Sequence, residues 1–204
     1  MNEGLIPRRY AKALYKFACE KGADKGLYCL MGNLVRSFAD NPTLVDAIAN
    51  PFVADDKKIT LLTTAAEAAG APAAGKALPA GGQTADNAVN ADVMEVYKDF
   101  LKLLAHNKRL PVARAAAIAY RDLYRAQNRI YRVTIVSAQP LDPSEEQRLK
   151  KLILSHLDGG KMECVLRTDP DLIGGFTVDI DNERLDASVK NELKQLRVKL
   201  LGQA

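Results

Sequence analysis

No run of uncharged residues in this chain of 204 is longer than ten, the one from Gly26 to Val35, whereas a membrane-spanning helix takes about 20 largely apolar residues. The chain is therefore not expected to cross a bilayer. Cysteine is scarce: Cys19, Cys29 and Cys164 are odd in number and widely spaced, and only two histidines accompany them. That pattern offers neither a disulfide framework nor a zinc site and leaves the cysteines as small buried hydrophobes. The first ten residues, Met1 to Tyr10, hold no apolar stretch of the kind a secretory signal needs; neither a signal nor a transit peptide is expected, and a cytosolic face is the default. What is present is ordinary globular material, 48% hydrophobic and 26% charged, enough for one or two domains.

The first part reads as helices. Ile6, Tyr10, Ala13, Leu14, Phe17 and Ala18 recur at three- and four-residue steps, as do Leu27, Leu30, Met31, Leu34, Val35 and Phe38, each set marking one apolar stripe. Asn41-Pro42 and Asn50-Pro51 break the pattern around a short Leu44-Val45-Ile48 helix, and Asp55 or Asp56 is suited to open the next, over Ile59-Leu61-Leu62. From about 68 to 91 the composition turns to Ala, Gly and Pro, which predicts a loop or insertion. Helical spacing resumes with Val93, Val96, Tyr97, Phe100, Leu101 and Leu104, and again with Val112, Ala116, Ala119, Leu123, Ala126 and Ile130. From Ile130 the period changes to two. Tyr131 to Ser137, Met162 to Leu166 and Phe176 to Ile180 alternate as strands, one helix with Leu149, Leu152, Ile153 and Leu157 inward lies between the first two, and another with Leu185, Val189, Leu193, Leu196 and Leu200 follows. The expected fold is α plus α/β: a six-helix bundle over 1–130 and a small β-α-β-β-α domain over 131–204.

Candidate chemistry is thin. Gly70 to Ala77 has phosphate-loop spacing but puts Ala77 where a magnesium-binding Ser or Thr is needed, and Leu78-Pro79 blocks the helix that should follow. Asp169, Asp171, Asp179, Asp181 and Glu183 crowd near strand ends without calcium-loop spacing, and read as a solvated face. Asp186 is placed to cap the last helix. Neither His106 nor His156 has a nucleophile or acid at a useful spacing, so no catalytic set, metal site or cofactor is expected. Charge is uneven, however. Between His106 and Arg132 stand Lys108, Arg109, Arg114, Arg121, Arg125, Arg129 and Arg132 against Asp122 alone, a net +6 within a chain of +4. With Tyr120, Tyr124 and Tyr131 nearby, that stretch offers an alternative reading as a basic-helix nucleic-acid-binding module. The bland reading is a helix face whose arginine stems cover apolar surface.

Four segments in order carry a family resemblance: Arg9-Tyr-Ala-Lys-Ala-Leu-Tyr-Lys-Phe-Ala18; Asn41-Pro42 with Asn50-Pro51-Phe52 and Lys57 to Leu62; Asp99-Phe-Leu-Lys-Leu-Leu-Ala-His-Asn-Lys-Arg-Leu110; and Asp171-Leu-Ile-Gly-Gly-Phe176 with Asp186-Ala-Ser188. Together they resemble the delta subunit of F-type ATP synthase, the OSCP family. The resemblance implies a non-catalytic stator subunit of the peripheral stalk. It would link the catalytic alpha/beta head to the b-subunit stalk, so that rotary, proton-driven ATP synthesis stays coupled. It implies one copy per complex, contacts with alpha, beta and b subunits, and membrane association only through those partners, on the cytoplasmic face of a bacterial inner membrane. The residues from about 68 to 91 would be an insertion between the fourth and fifth helices.

The resemblance also implies two docking surfaces. A groove between the first and fifth helices would receive the N-terminal helix of an alpha subunit, and the matching positions are Tyr10, Ala13, Leu14, Phe17, Phe100, Leu101 and Leu104. Some of these must be core, and periodicity alone does not separate core from groove; small Ala13 and Tyr10, with its hydroxyl, suit the groove best. In the C-terminal domain, Leu193, Leu196 and Leu200 either cover the sheet or offer a seam to the b subunits. A joint held under repeated torque calls for slow dissociation through packed apolar anchors, with affinity on the order of nanomolar, about −12 kcal/mol.

Overall fold

The computed structural model describes residues 4–68, 91–157, 159–181 and 183–201, with the side chains of Asp171, Leu200 and Leu201 outside the description. The bulk of the expected insertion, residues 69–90, and with it the Gly70 to Ala77 loop, also lies outside the described residues. Helices and a small four-stranded sheet make up the fold, and the described residues form two compact units that divide between Gln127 and Asn128.

In the first unit, α1 (Leu5–Glu20), α2 (Asp24–Asp40), α3 (Thr43–Ala49), α4 (Asp55–Ala68), α5 (Ala91–His106) and α6 (Ala113–Asn128) follow in order, with a 3-10 turn at Leu110–Val112 before α6. The core is built where the stripes coincide. Leu27, Leu30, Met31 and Leu34 of α2 are fully buried, each contributing roughly 1.5–3 kcal/mol. They sit with Leu62 of α4 and Val96, Tyr97, Leu101 and Leu104 of α5 among the fully buried side chains. Gly26 lets α2 and α5 come close, since a Cβ there would stand 2.6 Å from the Val93 side chain. Tyr97 satisfies its buried hydroxyl by donating to the Leu62 carbonyl at 3.0 Å; burial, helped by Glu67, pushes its pKa well up. Asp55 and Asp56 stand in the first turn of α4, where the helix dipole favours them.

On α6 the inward stripe is not the expected one. Ala113, Ala116, Ala117, Tyr120 and Tyr124 are buried, while Leu123 is half-buried and Ala126 exposed. Two tyrosines turn the helix by about one residue relative to the apolar count. Each ring buries more area than a leucine and each finds ring partners: Tyr124 stacks on Tyr28 at 4.5 Å, and Tyr120 donates to the Asp24 carbonyl at 3.1 Å. Burial raises both phenols, Tyr124 to about 12.

The second unit comprises β1 (Ile130–Ser137), α7 (Pro143–His156), β2 (Lys161–Thr168), a 3-10 turn at Pro170–Leu172, β3 (Gly175–Ile180), β4 (Glu183–Ser188) and α8 (Val189–Leu201). The sheet order is β2-β1-β3-β4, with β1 and β2 parallel across α7 and the other pairs antiparallel. Glu145 accepts from the Asp142 N–H at 3.3 Å where α7 begins, and Pro143 takes its first turn. One sheet face carries Val133, Ile135, Cys164 and Val178, and Ile153 of α7 packs onto it.

Three expectations fail here. The unit has four strands where β-α-β-β-α was expected, because Glu183-Arg-Leu-Asp-Ala-Ser188 has one large apolar residue and no alternation for a pattern to detect. It is an edge strand whose Leu185 is 61% exposed, paired through a tight hairpin in which Asp181 takes φ 47. Nor does Asp186 cap the last helix. It lies in β4 and accepts from both the Ser188 N–H (3.0 Å) and the Ser188 hydroxyl (2.6 Å); Ser188 Oγ in turn accepts from the Asn191 N–H (3.3 Å) and is the cap. Leu152, expected inward, is 66% exposed.

Two measurements test this architecture. Gly175 has φ 78, and a Cβ there would collide with the Ala187 carbonyl of β4; Gly175→Ala should cost about 2–3 kcal/mol in urea unfolding of the sheet unit. Arg184 binds Asp179 through two nitrogens at 2.5 and 3.0 Å and holds that carboxyl below its ordinary 3.8. A depressed carboxylate stabilises above the ordinary value and loses that contribution as pH falls through the lower folded value. An NMR titration should find Asp179 returned to the ordinary range in Arg184→Gln.

Candidate protein-docking surfaces

Helix α1 buries Pro7, Ala11, Leu14 and Ala18. Ala13 and Phe17 are exposed and Tyr10 is half-buried, and the 100° step between successive residues places these three together on one flank of the buried stripe. Phe17 is 37% exposed, and Lys21 lies over its ring at 5.1 Å while pairing with Glu95 of α5 at 3.4 Å. This cation ties the end of α1 to the start of α5 and leaves the aromatic edge open. The flank therefore presents one small and two aromatic side chains on a rigid helix, the composition of an anchor site for an apolar partner.

The other expected groove residues are core. Leu14 and Phe100 are each 5% exposed, and Leu101 and Leu104 are fully buried; side chains that fill the interior have no surface to offer a docking helix. The exposed large apolar residue of α5 is instead Leu103, at 48%. In the run Leu101-Lys-Leu-Leu104 a single helical stripe holds only Leu101 and Leu104, and this spacing is the signal that sets Leu103 outside.

In the second unit, α8 buries none of its described side chains. Leu193 and Leu196 are 53% and 54% exposed, and Val189 and Leu185 of β4 are exposed beside them. Of the two roles left open for this helix, such exposure does not fit covering the sheet. The Leu200 side chain lies outside the described residues. A further apolar site escaped the sequence reading: a cavity of about 550 Å3 between α7 and the start of β3, with Leu152 and Ile173 on its wall. Ile173 is 71% exposed at φ 66, a conformation a β-branched residue rarely takes.

Two of the seven cations of the basic stretch, Arg121 and Arg125, are engaged with the fold. The guanidinium groups of Arg121 and Arg125 lie over the Tyr28 ring at 5.6 and 5.7 Å, and Arg125 also approaches Asp122 at 3.8 Å. Tyr120 and Tyr124 are buried and unavailable to stack on bases. Two carboxylates of the second unit have structural work, Asp179 on Arg184 and Asp181 accepting from the Arg132 N–H at 3.2 Å.

Comparison with known proteins decides the family. The model of the ATP synthase delta (OSCP) subunit matches residues 6–78 and 82–200. The chain belongs to this family. It is similar to ATP synthase subunit delta of Bacteroides thetaiotaomicron, 30% identical over 97% of this chain and 94% of that one, and of Parabacteroides distasonis, 32% identical over 98% of both. In fold it resembles a chain in the structure of the Toxoplasma gondii mitochondrial ATP synthase hexamer, with a TM-score of 0.64, 19% identity and 98% of both chains covered. As a delta (OSCP) family member the chain is a stator subunit of F-type ATP synthase, structural and not catalytic. No helix among the described residues is long and apolar enough to cross a membrane.

Proposed function

We propose that the stator role divides between two domains, a six-helix bundle over 1–130 and an α/β domain over 131–204, each holding a different partner. The bundle takes the N-terminal helix of an alpha subunit on the α1 flank of Tyr10, Ala13 and Phe17, while Leu14, Phe100, Leu101 and Leu104 hold that flank rigid from behind. The observation that carries this reading is an apolar flank left open beside the buried stripe of Pro7, Ala11, Leu14 and Ala18. Ala13 lets a partner backbone approach closely, and Tyr10 and Phe17 bracket it one turn to either side.

The α/β domain takes the end of the b-subunit stalk on α8. Val189, Leu193 and Leu196 step by four and three, the spacing of a helix seam, and Lys190, Lys194 and Arg197 flank it against Glu192. The complex, one copy of this subunit with alpha, beta and b, places it on the cytoplasmic face of a bacterial inner membrane.

Two separable measurements test the reading. Ala13→Arg should weaken binding to purified catalytic head at least about 100-fold, some 2.7 kcal/mol, with an unchanged unfolding curve; undiminished head binding would remove the α1 assignment. Leu193→Glu with Leu196→Glu should abolish capture of the soluble part of the b subunit and leave head binding intact.

A further inference from the structure

The cavity of about 550 Å3 in the second unit lies at the carboxyl end of β1, and none of its lining residues belongs to either docking surface. Its wall comes from three segments: residues 137–141 after β1, the first turns of α7, and residues 173–176 leading into β3. β1 and β2 run parallel, and the carboxyl ends of parallel strands are where open α/β sheets receive their ligands. The volume is that of a small-molecule site, and the lining is mainly apolar, as such sites are. Leu141 and Phe176 pack on the buried cluster of the sheet, whereas Leu152 and Ile173 stand on the wall 66% and 71% exposed.

Ile173 is held at φ 66, its N–H on the Pro170 carbonyl at 3.2 Å. Glycine takes that backbone at no steric cost, and Gly174 and Gly175 follow directly. The chain nevertheless keeps a β-branched side chain at the strained position and leaves it in water. Strain of this kind persists at ligand clamps, where the side chain has something to hold. Several polar groups of the wall are already engaged. The Ser137 hydroxyl donates to the Gln139 carbonyl at 2.5 Å, the Gly175 carbonyl accepts the Ala138 N–H at 3.2 Å, and the Gly174 carbonyl accepts the Val189 N–H at 3.0 Å. Glu145 is turned to the Asp142 N–H at 3.3 Å. The Arg148 guanidinium, exposed on α7, pairs with no carboxylate among the described residues, and it brings five N–H donors and no acceptor.

We propose that this cavity binds a small amphipathic anion, an acyl or aryl body of about eight to twelve carbons with a carboxylate or sulfonate head. The body lies between Leu152 and Ile173, and the head takes charge-assisted hydrogen bonds from Arg148. Through the Gly174 carbonyl, an occupant pressing on Ile173 reaches Val189, the first residue of α8.

The test titrates the full-length chain, observed by amide NMR, with octanoate and with octan-1-ol as the neutral arm. Octanoate should bind saturably with a Kd below about 1 mM, at least about tenfold tighter than octan-1-ol, and should move the signals of Ala138, Leu152, Ile173 and Gly174 together. Arg148→Gln should weaken octanoate about tenfold and leave octan-1-ol within about twofold. Ile173→Gly keeps the backbone and removes the side chain. It should weaken both ligands about fivefold and leave the urea midpoint in place, since relief of strain offsets the added freedom of glycine. Should that variant lose stability, Leu152→Glu, at an exposed position, decides the matter by abolishing octanoate binding. Absence of a saturable shift, octan-1-ol bound as tightly as octanoate, an Arg148→Gln variant that binds octanoate like the parent, or shifts confined to α8 would each overturn the site.

Discussion

The narrow, small-residue contact of α1 is the constraint on which the rest of the first unit depends. Pro7, Ala11, Leu14 and Ala18 are all that this helix buries, and three of the four carry little beyond a Cβ or a ring. A stripe so slight lets α1 sit close to its neighbours, and it leaves the broader part of the helix surface for other molecules. Larger residues at 11 and 18 would lift α1 away and open the interior over Leu101 and Leu104. The open flanks are thus a consequence of packing economy on the inner side, and the rigidity of what lies behind them comes from α2 and α5, where the large apolar side chains are concentrated.

The second unit solves a different problem with a thinner core. Its buried cluster sets Ile153 of α7 on Val133, Ile135, Cys164 and Val178. The outer part of the sheet, β4, has no helix over Leu185, and α8 leaves the sheet with its apolar residues outward. Such a unit keeps its edge strand through hairpin geometry and side-chain caps, as in the Asp186, Ser188 and Asn191 chain, and has apolar surface left for partners to cover. A stator subunit needs surface for its neighbours and no chemistry of its own.

Much of this was legible in the residues, for identifiable reasons. The stripes of α1, α2 and α5 could be read because leucine spacing reports burial directly, and the turns at Asn41-Pro42 and Asn50-Pro51 because proline denies the helix a hydrogen bond. The family could be read from four ordered segments. β4 could not, because an edge strand facing water has no alternation to show. The face of α6 was misjudged by counting apolar letters while two tyrosines, polar at one end only, did the packing. The docking residues divided for the same reason: Phe100, Leu101 and Leu104 share a stripe with true core, and a stripe has an outside only once its neighbours are in place.

The tyrosine cluster gives this molecule a spectroscopic voice of its own. The chain has no tryptophan and seven tyrosines, and four of them, Tyr15, Tyr28, Tyr120 and Tyr124, lie ring against ring where α1, α2 and α6 converge, with centroids 4.5 to 6.5 Å apart. Coupled rings held at fixed angles give strong near-ultraviolet dichroism, which vanishes when their mutual orientation is lost. The light absorbed near 280 nm therefore reports chiefly on the helical unit, while the far-ultraviolet signal sums both. Recorded together, the two signals give independent access to the order in which the halves of the stator come apart, with no label attached to either.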